Sequence, residues 1–169
     1  MDKMGDIHAL AVTLGQLLLE KKCRCAVAES CTGGGLSFAI TEIPGSSQWF
    51  DRGFVTYSNE SKQEVLGLSS QLLIKEGAVS EATVSAMAHA VIERSKADVS
   101  VAISGVAGPG GGSVDKPVGT VWIAWAGGHQ LTQARRYFFE GDREKIRLKS
   151  IEVALEGLIE RCRTRQNET

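Results

Sequence analysis

Apolar side chains recur at Ile7, Leu10, Ala11, Leu14, Leu17 and Leu18, a spacing that predicts a helix over 6–22 with one face turned inward. Lys21 and Lys22 suit its C-terminal end. An apolar run at about 23–28 predicts a short strand, and Leu36, Phe38, Ala39 and Ile40 a second helix, broken at Ile43-Pro44-Gly45. Phe54 to Tyr57 reads as a strand. Ser58 or Asn59 then caps a short helix carrying Lys62, Val65 and Leu66 and stopped by Gly67. Ser69 or Ser70 opens another, closed at Gly77. Ser80 to about Lys96 is an amphipathic helix with Val84, Met87, Ala88, Val91 and Ile92 on one face. Alternation at Val99, Val101 and Ile103 predicts a strand ending at Ser104. Strands at about 118–126 and 130–139 form a hairpin at Gly127-Gly128, and Asp142 caps a final helix to about Cys162.

Strands alternating with helices predict an α/β fold: one three-layer α/β/α domain over residues 1–169, with its core at about 8–163. The sheet is expected to be mixed and mostly parallel, because the hairpin must contribute an antiparallel strand. The chain has 169 residues, 43% of them hydrophobic, and a mean hydropathy of −0.06, which suits one ordinary core. A net charge of −1 supplies no general field for nucleic acid or an anionic membrane, so any anion site must be local. No apolar run reaches the length of a membrane span, and Met1 to Asp6 do not read as a signal peptide, so the cytoplasm is expected. Cys23, Cys25, Cys31 and Cys162 match no zinc spacing, and no metal or other cofactor is called for. Cys31 stands apart from the other three because it lies in a polar turn.

That turn, Ala28-Glu29-Ser30-Cys31-Thr32-Gly33-Gly34-Gly35, joins the first strand to the second helix. A serine there can be a nucleophile, with unpaired N–H groups at the helix N-terminus ready for an oxyanion. It can equally be a helix cap, with the glycines tightening the turn. Ligands of open α/β sheets sit beyond the carboxyl ends of the strands. Three such ends carry polar or glycine-rich residues: Ser30, Tyr57 to Lys62, and Ser104 to Ser113. If the three strands are parallel neighbours, these segments share one cleft. His8, His89 and His129 all lie away from cleft-facing strand ends, which speaks against a Ser/His/Asp triad. Lys62 follows a strand that should neighbour Ser30, and a desolvated lysine can act as a general base; a solvated helix lysine is the alternative. Tyr57 can orient the pair or the substrate, or lie half-buried. A cysteine hydrolase using Cys31 and a non-catalytic nucleotide-binding module are further readings.

Ala28-Glu29-Ser30-Cys31-Thr32-Gly33-Gly34, Gly53 to Asn59 with Lys62, Gly77-Ala78-Val79-Ser80, Ser104 to Gly111, Lys116 to Val121 and Gly141-Asp142-Arg143 resemble, in this order, the CinA C-terminal domain family. The resemblance covers about residues 8–163. Longer members carry an extra N-terminal domain, and this chain looks like the stand-alone form. The family includes bacterial nicotinamide-nucleotide amidohydrolases. The resemblance therefore implies hydrolysis of nicotinamide mononucleotide (NMN) to nicotinate mononucleotide and ammonia, in pyridine nucleotide recycling. It implies Ser30 as nucleophile, Lys62 as its base and Tyr57 beside them. Cys31, Thr32, Gly33, Gly34, Ser104, Gly105, Ala107, Gly108 and Arg143 are implied on the substrate, with Arg143 and the 105–112 loop on its phosphate and ribose. Ser104 stands where many members have threonine, which keeps the hydroxyl. The implied partner is the nucleotide substrate, with neither nucleic acid nor membrane, and a homodimer is left open.

Overall fold

In the computed structural model, residues 3–164 are described, with Lys3 by its backbone alone. Five strands form one sheet in the order β2-β1-β3-β4-β5. They are β1 (Cys25–Glu29), β2 (Phe50–Val55), β3 (Val99–Gly105), β4 (Thr120–Gly127) and β5 (Gln133–Phe138). β1 pairs parallel with both β2 and β3, whereas β4 is antiparallel to β3 and to β5. The sheet is mixed as expected. Four strands point one way and β4 alone runs against them, so the pairings divide evenly between the two kinds.

Among the described residues, six α-helices cover this sheet: α1 (Lys3–Glu20), α2 (Gly35–Thr41), α3 (Asn59–Leu66), α4 (Ser70–Glu76), α5 (Glu81–Glu93) and α6 (Arg143–Thr164). Because side chains alternate across a strand, the two faces of the sheet differ in size. Val27, Val101, Ile103, Val121, Ile123 and Trp125 meet Leu14 and Leu18 of α1, Leu36 and Ile40 of α2, and Leu155 and Leu158 of α6. The opposite face is built from Ala26, Ala28, Ala102, Ala124 and Ala126, under Val84, Met87, Ala88 and Val91 of α5 and Leu66 of α3. Small side chains there let α5 lie close, and the Ser100 hydroxyl donates across the gap to the Ala88 carbonyl at 2.8 Å.

Caps and stops set the helix bounds. The side chains of Ser58, Ser69 and Ser80 accept from the N–H groups of Ser61, Leu72 and Thr83. Gly67 ends α3 in the left-handed region (φ 71°), which an L side chain resists. β2 begins four residues earlier than the Phe54 start expected, leaving Thr56 and Tyr57 beyond its end. The chain leaves β1 for α2 on the large-residue face and leaves β2 for α3 on the alanine face. A crevice therefore opens beyond the carboxyl ends of β2, β1 and β3.

Candidate active site

Ser30 lies one residue past β1, between the ladders on either side. Its N–H donates to the Ile103 carbonyl at 3.0 Å, and the Glu29 carbonyl accepts from Thr56 N–H at 2.9 Å. The register that pairs Glu29 with Val55 and Ile103 places Ser30 between Thr56 and Ser104. Alternation then turns Ser30 to the same face as Ala26 and Ala28, toward α3.

Lys62 projects from α3 into that space and is 1% exposed. Its Nζ donates to Ser30 Oγ at 3.0 Å, to the Thr56 carbonyl at 2.8 Å and to the Tyr57 carbonyl at 3.3 Å. Among the described residues no carboxylate pairs with it. Burial therefore pushes its pKa below the ordinary lysine value. A neutral amine has two N–H groups and one lone pair. In the neutral form the two carbonyls take both N–H groups, and at Ser30 the direction reverses, with the lone pair accepting from the serine hydroxyl.

A pocket of about 240 Å³ opens over this pair, lined by Ser30, Cys31, Tyr57, Asn59, Lys62, Ala78, Val79, Ser104, Gly105, Ala107 and Arg143. The three loops do converge on one cleft. Ser104, the residue before the last of β3, is buried. Arg143, in the first turn of α6, donates from Nη1 to the Gly108 carbonyl at 2.8 Å and from Nη2 to Tyr57 Oη at 3.0 Å. It pairs with neither Glu140 nor Glu144, the surface alternative. Tyr57 is thus divided, with its carbonyl on Lys62 and its hydroxyl on Arg143.

Four expected substrate residues do not line the pocket. Gly108 acts through its carbonyl on Arg143. Thr32 is fully buried, its hydroxyl without a partner. Gly33 and Gly34 shape the turn with left-handed backbones (φ 58° and 99°). Cys31 is 5% exposed, and burial pushes its thiol up to about 12, which disfavours the thiolate a cysteine hydrolase needs.

The helix N-terminus expected beside Ser30 is not there. α2 starts at Gly35, capped by Gly34, and its first amides are already occupied. Glu29, fully buried at the end of β1, accepts from Leu36 N–H at 2.8 Å, Ser37 N–H at 3.0 Å and Ser37 Oγ at 2.7 Å. A carboxylate suits that terminus better than a hydroxyl, so Ser30 is released from capping. Cys31 lines the pocket beside Ser30, and its amide donates to no other described residue, so it is the amide left for an oxyanion, whereas Thr32 is buried away from the pocket. At α6, likewise, Asp142 Oδ1 occupies the Lys145 N–H at 2.9 Å, so Arg143 must supply the positive charge without that amide.

Residues 7–162 match the sequence model of the CinA C-terminal domain. This chain belongs to the CinA C-terminal domain family. Within the family it is 48% identical over 157 residues to the nicotinamide-nucleotide amidohydrolase PncC of Pseudomonas putida, covering 93% of this chain and 98% of that one. It is 46% identical over 154 residues to PncC of Escherichia coli K12, covering 91% and 93%. The crystal structure of a competence/damage inducible protein from Agrobacterium tumefaciens superposes with a TM-score of 0.90 at 42% identity, covering 92% of this chain and 95% of that one.

In this CinA-family chain, Glu29, Asn59, Ala78, Val79 and Arg147 were not among the residues expected at the site, Asn59 having been read only as a candidate helix cap. Glu29 carries a readable signal, an acid closing an otherwise apolar strand. Arg147 stands four residues after Arg143, on the same face of α6. Asn59 precedes Lys62 by three residues, so both meet the pocket. Ala78 and Val79 belong to a motif noted in the sequence but carry no chemical group that would mark them. No helix among the described residues is long and apolar enough to cross a membrane.

Proposed function

We propose that this protein is a nicotinamide-nucleotide amidohydrolase that converts NMN to nicotinate mononucleotide and ammonia in pyridine nucleotide recycling in the cytoplasm. The observation that carries the reading is the buried Lys62 Nζ, 3.0 Å from Ser30 Oγ with no carboxylate to hold its charge. Relatives of nearly the same length named for this activity supply the substrate.

Neutral Lys62 takes the proton of Ser30 as Oγ attacks the carboxamide carbon. The N–H of Cys31, which lines the pocket beside Ser30, receives the developing oxyanion, where a preorganised donor contributes most. The Lys62 ammonium returns its proton to the departing nitrogen, and ammonia leaves an ester on Ser30. Lys62 then deprotonates a water that attacks this ester. The ester breaks, Ser30 regains a proton from Lys62, and the acid formed gives its remaining proton to solvent as it leaves as nicotinate mononucleotide. Backbone carbonyls of Thr56 and Tyr57 hold the amine in place throughout. Arg143 receives the phosphate, because a guanidinium bound to a phenol and one carbonyl keeps further N–H groups for a bidentate contact. The Ser104 hydroxyl and the 105–107 backbone border the nucleotide.

Ammonia release from NMN by the purified protein, with and without a chelator, tests the reading. Equimolar ammonia and nicotinate mononucleotide at the same rate in both samples is expected. Absence of ammonia would leave a nucleotide-binding module, and loss of activity with chelator would call for a metal this scheme does not use.

A further inference from the structure

Eleven residues line the pocket over Ser30 and Lys62, and most of them bring polar side chains or bare backbone. Among them, plain hydrocarbon side chains belong to Ala78, Val79 and Ala107. Ala107 is buried in the core of the large-residue face. Ala78 and Val79 are half-buried and pack in neither core, so the pocket is what they cover.

These two residues sit in the short connection from α4 to α5, and that connection is tied down on both sides. Lys116 Nζ donates to the Glu76 carbonyl at 3.1 Å, from 40 residues away in the chain. The Gly77 carbonyl accepts from Thr83 Oγ1 at 2.6 Å and from Ser80 Oγ at 3.1 Å. Gly77 itself holds a left-handed backbone (φ 77°), which an L side chain resists. Ser80 then caps α5. With two successive carbonyls held, the wall cannot step back to admit a larger group.

The carboxamide that Ser30 attacks is bonded directly to its ring, so the ring enters the same pocket. A flat ring presents faces and edges that form few hydrogen bonds, and apolar lining suits such a group. The Tyr57 ring is the other broad surface there, but it is 59% exposed and its hydroxyl is bound to Arg143, which places it toward the mouth. Beside the reacting pair, the hydrocarbon is that of Ala78 and Val79.

We infer that Val79, with Ala78 beside it, is the specificity-determining wall of this site: it carries the ring that bears the reacting carboxamide, and its size limits which rings bring an amide to Ser30. This rests on the amidohydrolase reading through Ser30 as nucleophile, but not on NMN being the amide turned over.

The experiment compares wild type, Val79→Ala and Val79→Phe as full chains. It measures kcat and KM for NMN and for NMN analogues methylated singly at each free ring carbon. Ser30 is also labelled with a methyl-bearing and a phenyl-bearing fluorophosphonate, followed by intact mass. The small probe needs only the nucleophile and its base, whereas the large one needs room beside them. Val79→Ala is expected to raise kcat/KM for at least one methylated analogue, relative to NMN, by about tenfold or more, the scale of one methylene group in an apolar pocket. Val79→Phe should lower kcat/KM for NMN by about 10²-fold and slow the phenyl-bearing probe, with the methyl-bearing probe within about threefold of wild type. A packing role alone predicts lower thermal stability and an equal change for every substrate and probe. That result, an unshifted analogue preference in Val79→Ala, or failure of both variants to fold would overturn the inference. Wild-type protein that labels on Ser30 but releases no ammonia from NMN would contradict the substrate reading alone, with Val79 judged on the ratio of the two labelling rates. Neither labelling of wild-type Ser30 nor ammonia from NMN would overturn both.

Discussion

Nζ of Lys62 stands 3.0 Å from Oγ of Ser30, although 32 residues separate them in the chain. The pairing is set by the sheet. Parallel register between β1 and β2 brings Thr56 alongside Ser30, and the cap at Ser58 starts α3 so that Lys62 reaches back over Thr56. The lysine's remaining bonds go to carbonyls, which accept from the amine in either protonation state but neutralise no charge. An amine held this way is poised to be a base.

Activity should therefore rise with pH along its acidic limb as Lys62 deprotonates, at a pH below the ordinary lysine range because burial lowers its pKa. Lys62→Met should lose about 10²–10⁴-fold in kcat, the usual worth of a positioned acid–base group. A pH–rate profile of the variant identical in shape to that of wild type would contradict this.

The same lowered pKa has a consequence for stability. Between the folded and unfolded values, the unfolded chain binds more protons at Lys62, so wild-type stability rises with pH across that window. Below the folded value the cost of burying the charge is present in full. Lys62→Met lacks this linkage. The difference in Tm, variant minus wild type, should grow as pH is lowered from about 10 toward the folded pKa. A constant difference would mean that Lys62 titrates as it does in the unfolded chain.

Arg143 reaches the pocket with two of its N–H groups spent on Tyr57 and Gly108. The enzyme should prefer NMN over the dephosphorylated riboside. Arg143→Ala should erase most of that preference, at a cost of roughly 1.5–3 kcal/mol for lost charge-assisted hydrogen bonds. Comparing kcat/KM for both substrates on both proteins measures it. Equal discrimination in the two proteins would place the phosphate elsewhere.

Cys31 lines the pocket beside the nucleophile, but its thiol stays protonated until about pH 12. Cys31→Ala should keep kcat within a few-fold of wild type. A variant with less than a hundredth of wild-type activity and an intact fold would revive the cysteine reading.

Gly157 sits in α6 against the Trp125 indole, whose Nε1 donates to the Ala154 carbonyl at 3.1 Å. A methyl group there would overlap the ring, which has a buried core behind it. Alanine normally gains up to about 1 kcal/mol over glycine in a helix. Overpacking costs about 1–3 kcal/mol, so Gly157→Ala should lower Tm despite its better helix propensity. A raised Tm would show that Trp125 moves aside freely.

Much of this arrangement was legible in the residues. Ile7 to Leu18, Val84 to Val91 and Val99 to Ile103 each carry a clear period, and all three became the elements they predicted. Convergence of the Ser30, Lys62 and Ser104 loops followed from strand ends in an open sheet. What escaped reading was long-range polar pairing. Whether an amide stays free depends on partners far away in sequence, and no local pattern shows that Glu29 reaches Leu36 and Ser37, or that Arg147 reaches across 116 residues to Cys31. The expectation that a helix terminus would hold the oxyanion failed for that reason. Tyr57 was read as the end of a strand but lies two residues beyond β2, and the split between its carbonyl and its hydroxyl could not be seen from the sequence.

Ser30, activated by Lys62, is the nucleophile proposed for the amide of NMN. Ser30→Ala removes a single oxygen from a buried position, and the β1 ladder that surrounds it does not depend on that oxygen. Ammonia and nicotinate mononucleotide formation from NMN, measured side by side for wild type and Ser30→Ala of matched thermal stability, tests it most directly. Steady turnover by wild type and a loss of roughly 10⁴-fold or more in the variant are expected. Comparable ammonia release by both proteins, or none by wild type, would contradict it.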